Sequence, residues 1–180
     1  MKTAVFLDRD GVINEVLSAR VKFVNKKSDL YFLPGVPEAI KKLNASFDYI
    51  FVVTNQGGVG LGFMKEAQLV KIHEHMVSEL KKQGAIIHDV AYCAHKPKAG
   101  CECRKPGSKM IEDLAKKYEV DLSKSYMVGD TDTDIMAGKK AGTKCVYLGD
   151  HDELADAVCT DLLRAADWII EDLKKNTIEK

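Results

Sequence analysis

The sequence predicts an α/β fold: three layers, with one parallel sheet and helices on both of its faces. Three observations carry that expectation. Short apolar runs rich in β-branched and aromatic residues alternate along the chain with longer stretches of helical character. Such alternation is what βαβ units require, and their right-handed crossovers put every strand's C-terminal end on one edge of the sheet. The polar and glycine-rich segments 8–14, 54–62, 93–107 and 129–134 each follow an apolar run, so they should converge on that edge.

The first strand is expected at 4–7, where Ala4-Val5-Phe6-Leu7 runs into Asp8. Residues 15–33 form no clear element; Val21, Phe23, Val24 and the run 30–33 suggest a flap or short hairpin near the first loop. Pro34-Gly35 marks a turn, and Pro37 is tolerated in the first turn of a helix over 36–45. A strand at 49–53 and a helix at 65–83 follow, then a strand at 90–93 and a helix at 108–118. A strand at 125–128, a helix at 133–141 and a strand at 144–148 continue the alternation. Residues 157–159 make a short sixth strand. A helix over 161–176 closes the chain, with Leu162, Leu163, Trp168, Ile169 and Leu173 as its apolar face. No repeat, low-complexity tract or flexible linker interrupts the pattern, so residues 1–180 read as a single domain.

Composition narrows the function. Hydrophobic residues are 46% and charged residues 30%, ordinary for a soluble globular protein. Lys+Arg and Asp+Glu both total 27, and zero net charge argues against nucleic-acid binding driven by bulk charge. It leaves room for a local basic pocket that takes a small anion. No apolar run approaches the roughly 18 residues of a membrane span. The chain enters its first strand too soon for a signal peptide, so a cytoplasmic protein is expected. Three of the five cysteines lie between Cys93 and Cys103, which suits a metal site in a reducing compartment better than a disulfide framework.

The stretch Val5-Phe6-Leu7-Asp8-Arg9-Asp10-Gly11 points most directly to chemistry. Two carboxylates this close repel, and each shifts the other's ionisation. A fold tolerates them when a cation sits between them, or when one is ionised and the other protonated; either case implies function. Residues i and i+2 of an extended segment project to one side, so Asp8 and Asp10 can reach one substrate. One aspartate can attack phosphorus, dividing a hard displacement into two steps. The other can protonate the leaving oxygen and later deprotonate water.

Thr54-Asn55 offers a hydroxyl and an amide to a phosphoryl oxygen, although alone the pair is also common turn chemistry. Gly57-Gly58-Val59-Gly60-Leu61-Gly62 fits neither G-x-G-x-x-G nor the P-loop. It reads as a flexible loop leading away from the active edge. Cys93-x-His95 followed after five residues by Cys101-x-Cys103 is the strongest local signal. Three thiols and an imidazole are the ligand set of a closed, structural zinc site. Such a clamp would fix the adjoining residues Arg104-Lys105-Pro106. Lysine can pair with a nucleophilic carboxylate and a phosphoryl oxygen, and arginine can hold phosphate or sugar oxygens bidentately.

Gly129-Asp130-Thr131-Asp132-Thr133-Asp134 follows another apolar run. Its carboxylates, gathered with Asp8 and Asp10, suit Mg²⁺; an EF-hand is excluded by Ile135 and Ala141 at two required positions. Asp134 could instead hold its loop by accepting backbone hydrogen bonds, and Asp132 could face solvent or cap a helix. His73, His75, His88 and His151 read as surface or packing residues. Cys145 and Cys159 read as small core hydrophobes.

These loops, in this order, resemble the haloacid dehalogenase-like (HAD) phosphatase superfamily. Asp8-Arg9-Asp10-Gly11 is similar to its first motif, Thr54-Asn55 to its second, Lys105 to its third, and Gly129-Asp130 with Asp134 to its fourth. Cys93, His95, Cys101 and Cys103 before Arg104-Lys105-Pro106 resemble its zinc-loop branch, which holds heptose-bisphosphate and histidinol-phosphate phosphatases. The resemblance implies a Rossmann-like fold without a large cap domain and a Mg²⁺-dependent phosphatase acting through an aspartyl-phosphate. Asp8 would be the nucleophile and Asp10 the general acid/base. Mg²⁺ would be held by the Asp8 side chain, the Asp10 backbone carbonyl and Asp130, and Zn²⁺ by the four clustered ligands. Thr54 and Lys105 would bind the phosphoryl group, while Asn55, Arg104 and residues near 16–19 contact the rest of the substrate. The expected substrate is a sugar phosphate, a heptose bisphosphate ahead of histidinol phosphate. Leu61 stands where the heptose branch usually carries arginine. A zinc-stabilised binding module without catalysis is the rival class. The expected partner is a small phosphate ester alone, without nucleic acid or membrane, taken by a monomer.

Overall fold

A computed structural model describes residues 1–179. Its strands are β1 (Ala4–Leu7), β2 (Tyr49–Asn55), β3 (Asp89–Cys93), β4 (Tyr126–Gly129), β5 (Lys144–Leu148) and β6 (Ala157–Cys159). All six join one sheet in the order β3-β2-β1-β4-β5-β6, and every pairing is parallel. Every residue of β1 and β4 is buried, the burial expected of central parallel strands covered on both faces.

Alternate strand residues feed two separate cores. Val5, Leu7, Ile50, Val52, Val128 and Val146 meet α1 (Val36–Asn44), α3 (Glu66–Lys82) and α6 (Leu162–Ile178) on one face. Phe6, Phe51, Val53, Met127 and Cys145 meet α4 (Lys109–Tyr118) and α5 (Asp132–Ala141) on the other. The helices start and stop where local chemistry dictates. Thr131 and Asp134 form a reciprocal capping box at the start of α5, and Gly142 ends that helix in the left-handed region. The Asp161 side chain accepts from Arg164 N to cap α6.

The predicted three-layer architecture holds, including the short sixth strand. One segment differs from expectation. Gly57–Gly60 is not a flexible loop but a helical turn, α2. Residues 15–33 form no regular hairpin, but one antiparallel bridge between Asn14 and Phe32 roots them as a flap beside the first loop. They make an arch tied by Glu15 N to Tyr31 O, Leu33 N to Ile13 O and Leu17 N to Lys22 O, with a single 3₁₀ turn at Lys27–Asp29. Val21 and Val24 sink from this arch onto Met64, Leu69 and Ile72. Among the described residues no helix is long and apolar enough to cross a membrane.

The strand order reverses direction between β1 and β4. In open α/β sheets the crevice beyond the strand ends at such a switch point is where ligands bind. The loops after β1 and β4 flank that crevice, and the loops after β2 and β3 approach it from one side.

Candidate active site

Asp8 leaves β1 buried, with its amide donating to Val128 O at 3.0 Å. Lys105 stands opposite, also buried. Its Nζ donates to Asp8 Oδ1 at 2.9 Å, to Val53 O at 2.9 Å and to Asp134 Oδ1 at 2.5 Å. One ammonium thus bridges the carboxylates that follow β1 and β4. Burial pushes the Asp8 carboxyl well above its ordinary range; Lys105 pulls it down, while Asp134 and Asp130 push it further up. Burial and the neighbouring Asp134 raise Asp130 as well. For Lys105, burial works against the charged form, but Asp8 and Asp134 outweigh it and the ammonium is held above its ordinary value.

Carboxyls raised in this way are short of positive charge. Asp8, Asp130 and Asp134 each offer an oxygen within 4.8 Å of the others, and Asp130 Oδ1 is buried without a partner. Asp134 is already committed: its Oδ2 accepts from Asp130 N, Thr131 N and Thr131 Oγ1, and its Oδ1 takes Lys105. The free acceptor capacity therefore lies on Asp8 and Asp130, a hard oxygen set that fits a magnesium ion. Gly11 makes the approach possible. It has a positive φ of 82°, and a Cβ there would fall 1.9 Å from Asp130 Oδ2.

Asp10 has a different environment. Its Oδ1 accepts from Arg9 Nε at 3.1 Å, Arg9 Nη2 at 2.9 Å and Asn14 Nδ2 at 3.0 Å. Its Oδ2 accepts from Gln56 Nε2 at 3.1 Å, and the same amide nitrogen donates to Thr54 Oγ1 at 2.9 Å. Burial alone would raise Asp10, but the Arg9 guanidinium and these amide donors hold it below its ordinary value. The two aspartates of the first loop are therefore pushed in opposite directions, and a cation beside Asp8 would bring its raised carboxyl back down.

Asn55 grips the next piece of the site. Its Oδ1 accepts from Lys105 N at 2.9 Å and its Nδ2 donates to Lys105 O at 3.2 Å. The end of β2 thus anchors the backbone of the residue whose side chain faces Asp8. Arg104 lies next to it, with a buried Nη1 lacking a partner. That nitrogen would lie 3.2 Å from a Cβ on Gly57.

The 15-residue span from Ala94 to Ser108 is held by sulfur and imidazole. Cys93 Sγ lies 2.9 Å from Cys103 Sγ, 3.6 Å from Cys101 Sγ and 3.4 Å from His95 Nδ1. The cysteines are free, and all four ligand atoms fall within 4.8 Å of one another. The Arg104 amide, with help from neighbouring thiols and His95, brings Cys101 down to about 7 against burial. Burial and the adjacent thiols push Cys103 up to about 12. A dication would displace such protons, and three soft thiols with one imidazole match zinc.

The sequence-predicted residues Asp8, Thr54, Lys105 and Asp130 come together at the switch point, with Asp10 beside Thr54 through Gln56. Three neighbours are additions to which the sequence reading gives no role: Arg9, Asn14 and Gln56. Gln56 is two residues beyond Thr54 on an extended segment, so the same alternation that pairs Asp8 with Asp10 could have marked it. His73 takes the packing alternative. It is no surface residue: it lies buried on α3, with Nε2 3.0 Å from Arg9 Nη1. His88 also has a specific partner, its Nδ1 accepting from Ile50 N at 2.9 Å.

Known proteins share this arrangement of sequence and fold. A family model described as HAD-hydrolase-like matches residues 102–175. The D-glycero-beta-D-manno-heptose-1,7-bisphosphate 7-phosphatase of Rhodopseudomonas palustris is 42% identical over 148 residues, 78% of this chain and 80% of that protein. The corresponding phosphatase of Bordetella bronchiseptica is 33% identical over 179 residues, 93% of this chain and 98% of that protein. The crystal structure of the D,D-heptose 1,7-bisphosphate phosphatase from B. bronchiseptica, complexed with magnesium and phosphate, matches with a TM-score of 0.83. The match has 33% identity and covers 96% of this chain and 99% of that one.

Proposed function

The chain belongs to the haloacid dehalogenase-like phosphatase family, and on that premise we propose that it removes the 7-phosphate of D-glycero-D-manno-heptose 1,7-bisphosphate. The observation that carries the reading is Lys105 Nζ bridging Asp8 and Asp134 in a crevice where Asp130 keeps an unpartnered oxygen. The near full-length likeness to heptose bisphosphate phosphatases supports the substrate.

Asp8 is the nucleophile. Its Oδ1 is anchored by Lys105, leaving its other oxygen to attack phosphorus and form an aspartyl-phosphate. Asp8, the Asp10 backbone carbonyl and Asp130 would hold magnesium, which when bound would supply positive charge against the phosphoryl oxygens. Lys105 and the Thr54 hydroxyl complete the electrostatic cradle, which does most of the work in phosphoryl transfer. Asp10 handles the proton. Its Oδ1 already takes three N–H donors and its Oδ2 only one, so Oδ2 has room for the proton given to the leaving alkoxide. The carboxylate form regained in that step then takes a proton from the attacking water. Negative charge on the bound ester favours protonation of Asp10 before the first step.

Arg104 and Asn55 border the space for the rest of the substrate. Cys93, His95, Cys101 and Cys103 would hold zinc in a structural role, because four protein ligands would leave no open position. The chain works as one catalytic domain over residues 1–180, as a monomer. Its five free cysteines suit the reducing cytoplasm.

Steady-state phosphate release with magnesium tests the reading. The heptose bisphosphate should be preferred over histidinol phosphate by about two orders of magnitude in kcat/KM, roughly 3 kcal/mol of transition-state discrimination. Asp8→Asn should lower kcat on the order of 10⁴-fold. Turnover retained in that variant, with deamidation excluded by mass spectrometry, would overturn the nucleophile.

A further inference from the structure

We propose that His73 is a positioning residue for the proton-transfer step, acting on Asp10 through Arg9. The inference rests on the phosphatase reading above and extends it to a residue outside the motif loops.

Arg9 is among the largest fully buried side chains in the protein, at 1% exposure. A guanidinium out of water must have its nitrogens satisfied, and each nitrogen left bare is costly. Two of its three nitrogens, Nε and Nη2, converge on Asp10 Oδ1. The third, Nη1, points away and has His73 Nε2 as its partner at 3.0 Å. The guanidinium plane is therefore pinned at both ends, by Asp10 on the loop after β1 and by His73 on α3.

The imidazole must stay neutral to accept this bond. Burial and the adjacent Arg9 charge hold His73 down to about 3, against a weaker opposing pull from Asp10. Its Nε2 is then a permanent acceptor and its proton sits on Nδ1. The ring itself is wedged beside Tyr92 of β3, with centroids 5.7 Å apart.

The chain of contacts has a direct consequence for chemistry. Arg9 and Asn14 occupy Asp10 Oδ1, which turns Oδ2 toward Gln56 and Thr54, the phosphoryl side of the site. If Nη1 loses its partner, the guanidinium can rotate to find another acceptor, and Asp10 is no longer held in one orientation. Proton delivery to the leaving oxygen should suffer, while phosphate binding by Thr54 and Lys105 should not.

The test compares esters whose leaving groups differ in their need for a proton. An alkoxide must be protonated as it departs; nitrophenolate need not be. In His73→Leu, kcat/KM for the heptose bisphosphate should fall roughly 10–100-fold, part of the range for general acid catalysis. On p-nitrophenyl phosphate the fall should be less than about threefold by the same reasoning. His73→Gln, which carries a carbonyl oxygen to the place of Nε2, should recover most of the loss. His73→Asn, whose carbonyl stops short, should not.

An equal fall on both esters, or none on either, would overturn the proposal and leave His73 as packing. If His73→Leu does not fold, the contrast between Gln and Asn decides, and equal behaviour of the two refutes it. A wild-type protein that releases phosphate from neither ester would instead bring down the phosphatase reading, and this proposal with it.

Discussion

The backbones at Gly60 and Lys96 lie so close that a Cβ on Gly60 would stand 2.4 Å from Lys96 N and 2.9 Å from Ala94 O. Gly57 faces Pro97 in the same way, with a Cβ position 3.1 Å from its Cδ. The glycine turn after β2 is therefore a packing surface for the cysteine-bearing loop. Gly60→Ala should cost about 1–3 kcal/mol, the usual penalty for forcing atoms into a filled space. Differential scanning calorimetry checks the loss, and bound zinc measured in the same sample should fall with it. An unchanged melting temperature would mean that the two segments are free to separate.

Lys105→Met should be among the most damaging substitutions. It leaves Asp8 and Asp134 buried without their shared cation, and removing one partner of a buried ion pair costs about 3–5 kcal/mol. Added magnesium should recover part of the melting temperature in this variant, since a dication on Asp8 replaces some of the missing charge. Thermal melts with and without magnesium check this; equal loss in both would argue against a cation beside Asp8.

One equivalent of zinc per chain should be found by elemental analysis of protein purified without chelator. Cys101→Ser should lower that content, the melting temperature and kcat together, because releasing the metal frees Arg104 and Lys105. Activity should fall by up to about 100-fold, what misplacing a catalytic group by an ångström can cost. A variant that lost zinc but kept full activity would separate the clamp from catalysis.

His73 should make the protein acid-sensitive. Below the ordinary histidine value of 6.5 the unfolded chain binds a proton there, whereas the folded chain does not until about pH 3. The stability contributed by the neutral ring is complete above that ordinary value and is lost as pH falls, at about 1.4 kcal/mol per pH unit. Asp8 and Asp130, both raised, act in the opposite sense, so the effect must be read as a difference. Between pH 6.5 and pH 5 the stability of wild type relative to His73→Gln should drop by about 2 kcal/mol. Parallel stability curves for the two proteins would show that the ring is already protonated in the fold.

The sequence was legible where chemistry and periodicity coincide. Asp8, Thr54, Lys105 and Asp130 each lie at the end of a strand or just beyond a metal-ligand cluster, so reading strand ends in order finds them. The sheet was legible because central parallel strands are uninterrupted apolar runs, as in Ala4–Leu7. The turn at Gly57–Gly60 was hidden because glycine is a poor helix former. What selects glycine there is the close backbone of residues 94–96, which lies beyond any local pattern. His73 was hidden for a similar reason. Its partner Arg9 is 64 residues away, and a lone histidine on a helix carries no mark of a distant guanidinium. The arch over 15–33 has backbone hydrogen bonds but no ladder, so no period announces it.

The strand order also governs when this centre can come into being. β1 lies between β2 and β4, and its partner Val128 follows Leu7 only after most of the chain has been made. Lys105, its backbone held by Asn55 at the end of β2, reaches Asp8 after β1 and Asp134 on α5, partners 97 and 29 residues away along the chain. Pairings so distant along the chain form slowly, because loop closure precedes the contacts that compensate it. A nascent chain that has not yet delivered Asp134 carries Asp8 from the eighth residue onward without the loop after β4 that faces it. On the proposed phosphatase reading, turnover should therefore begin only once both halves of the sheet have docked.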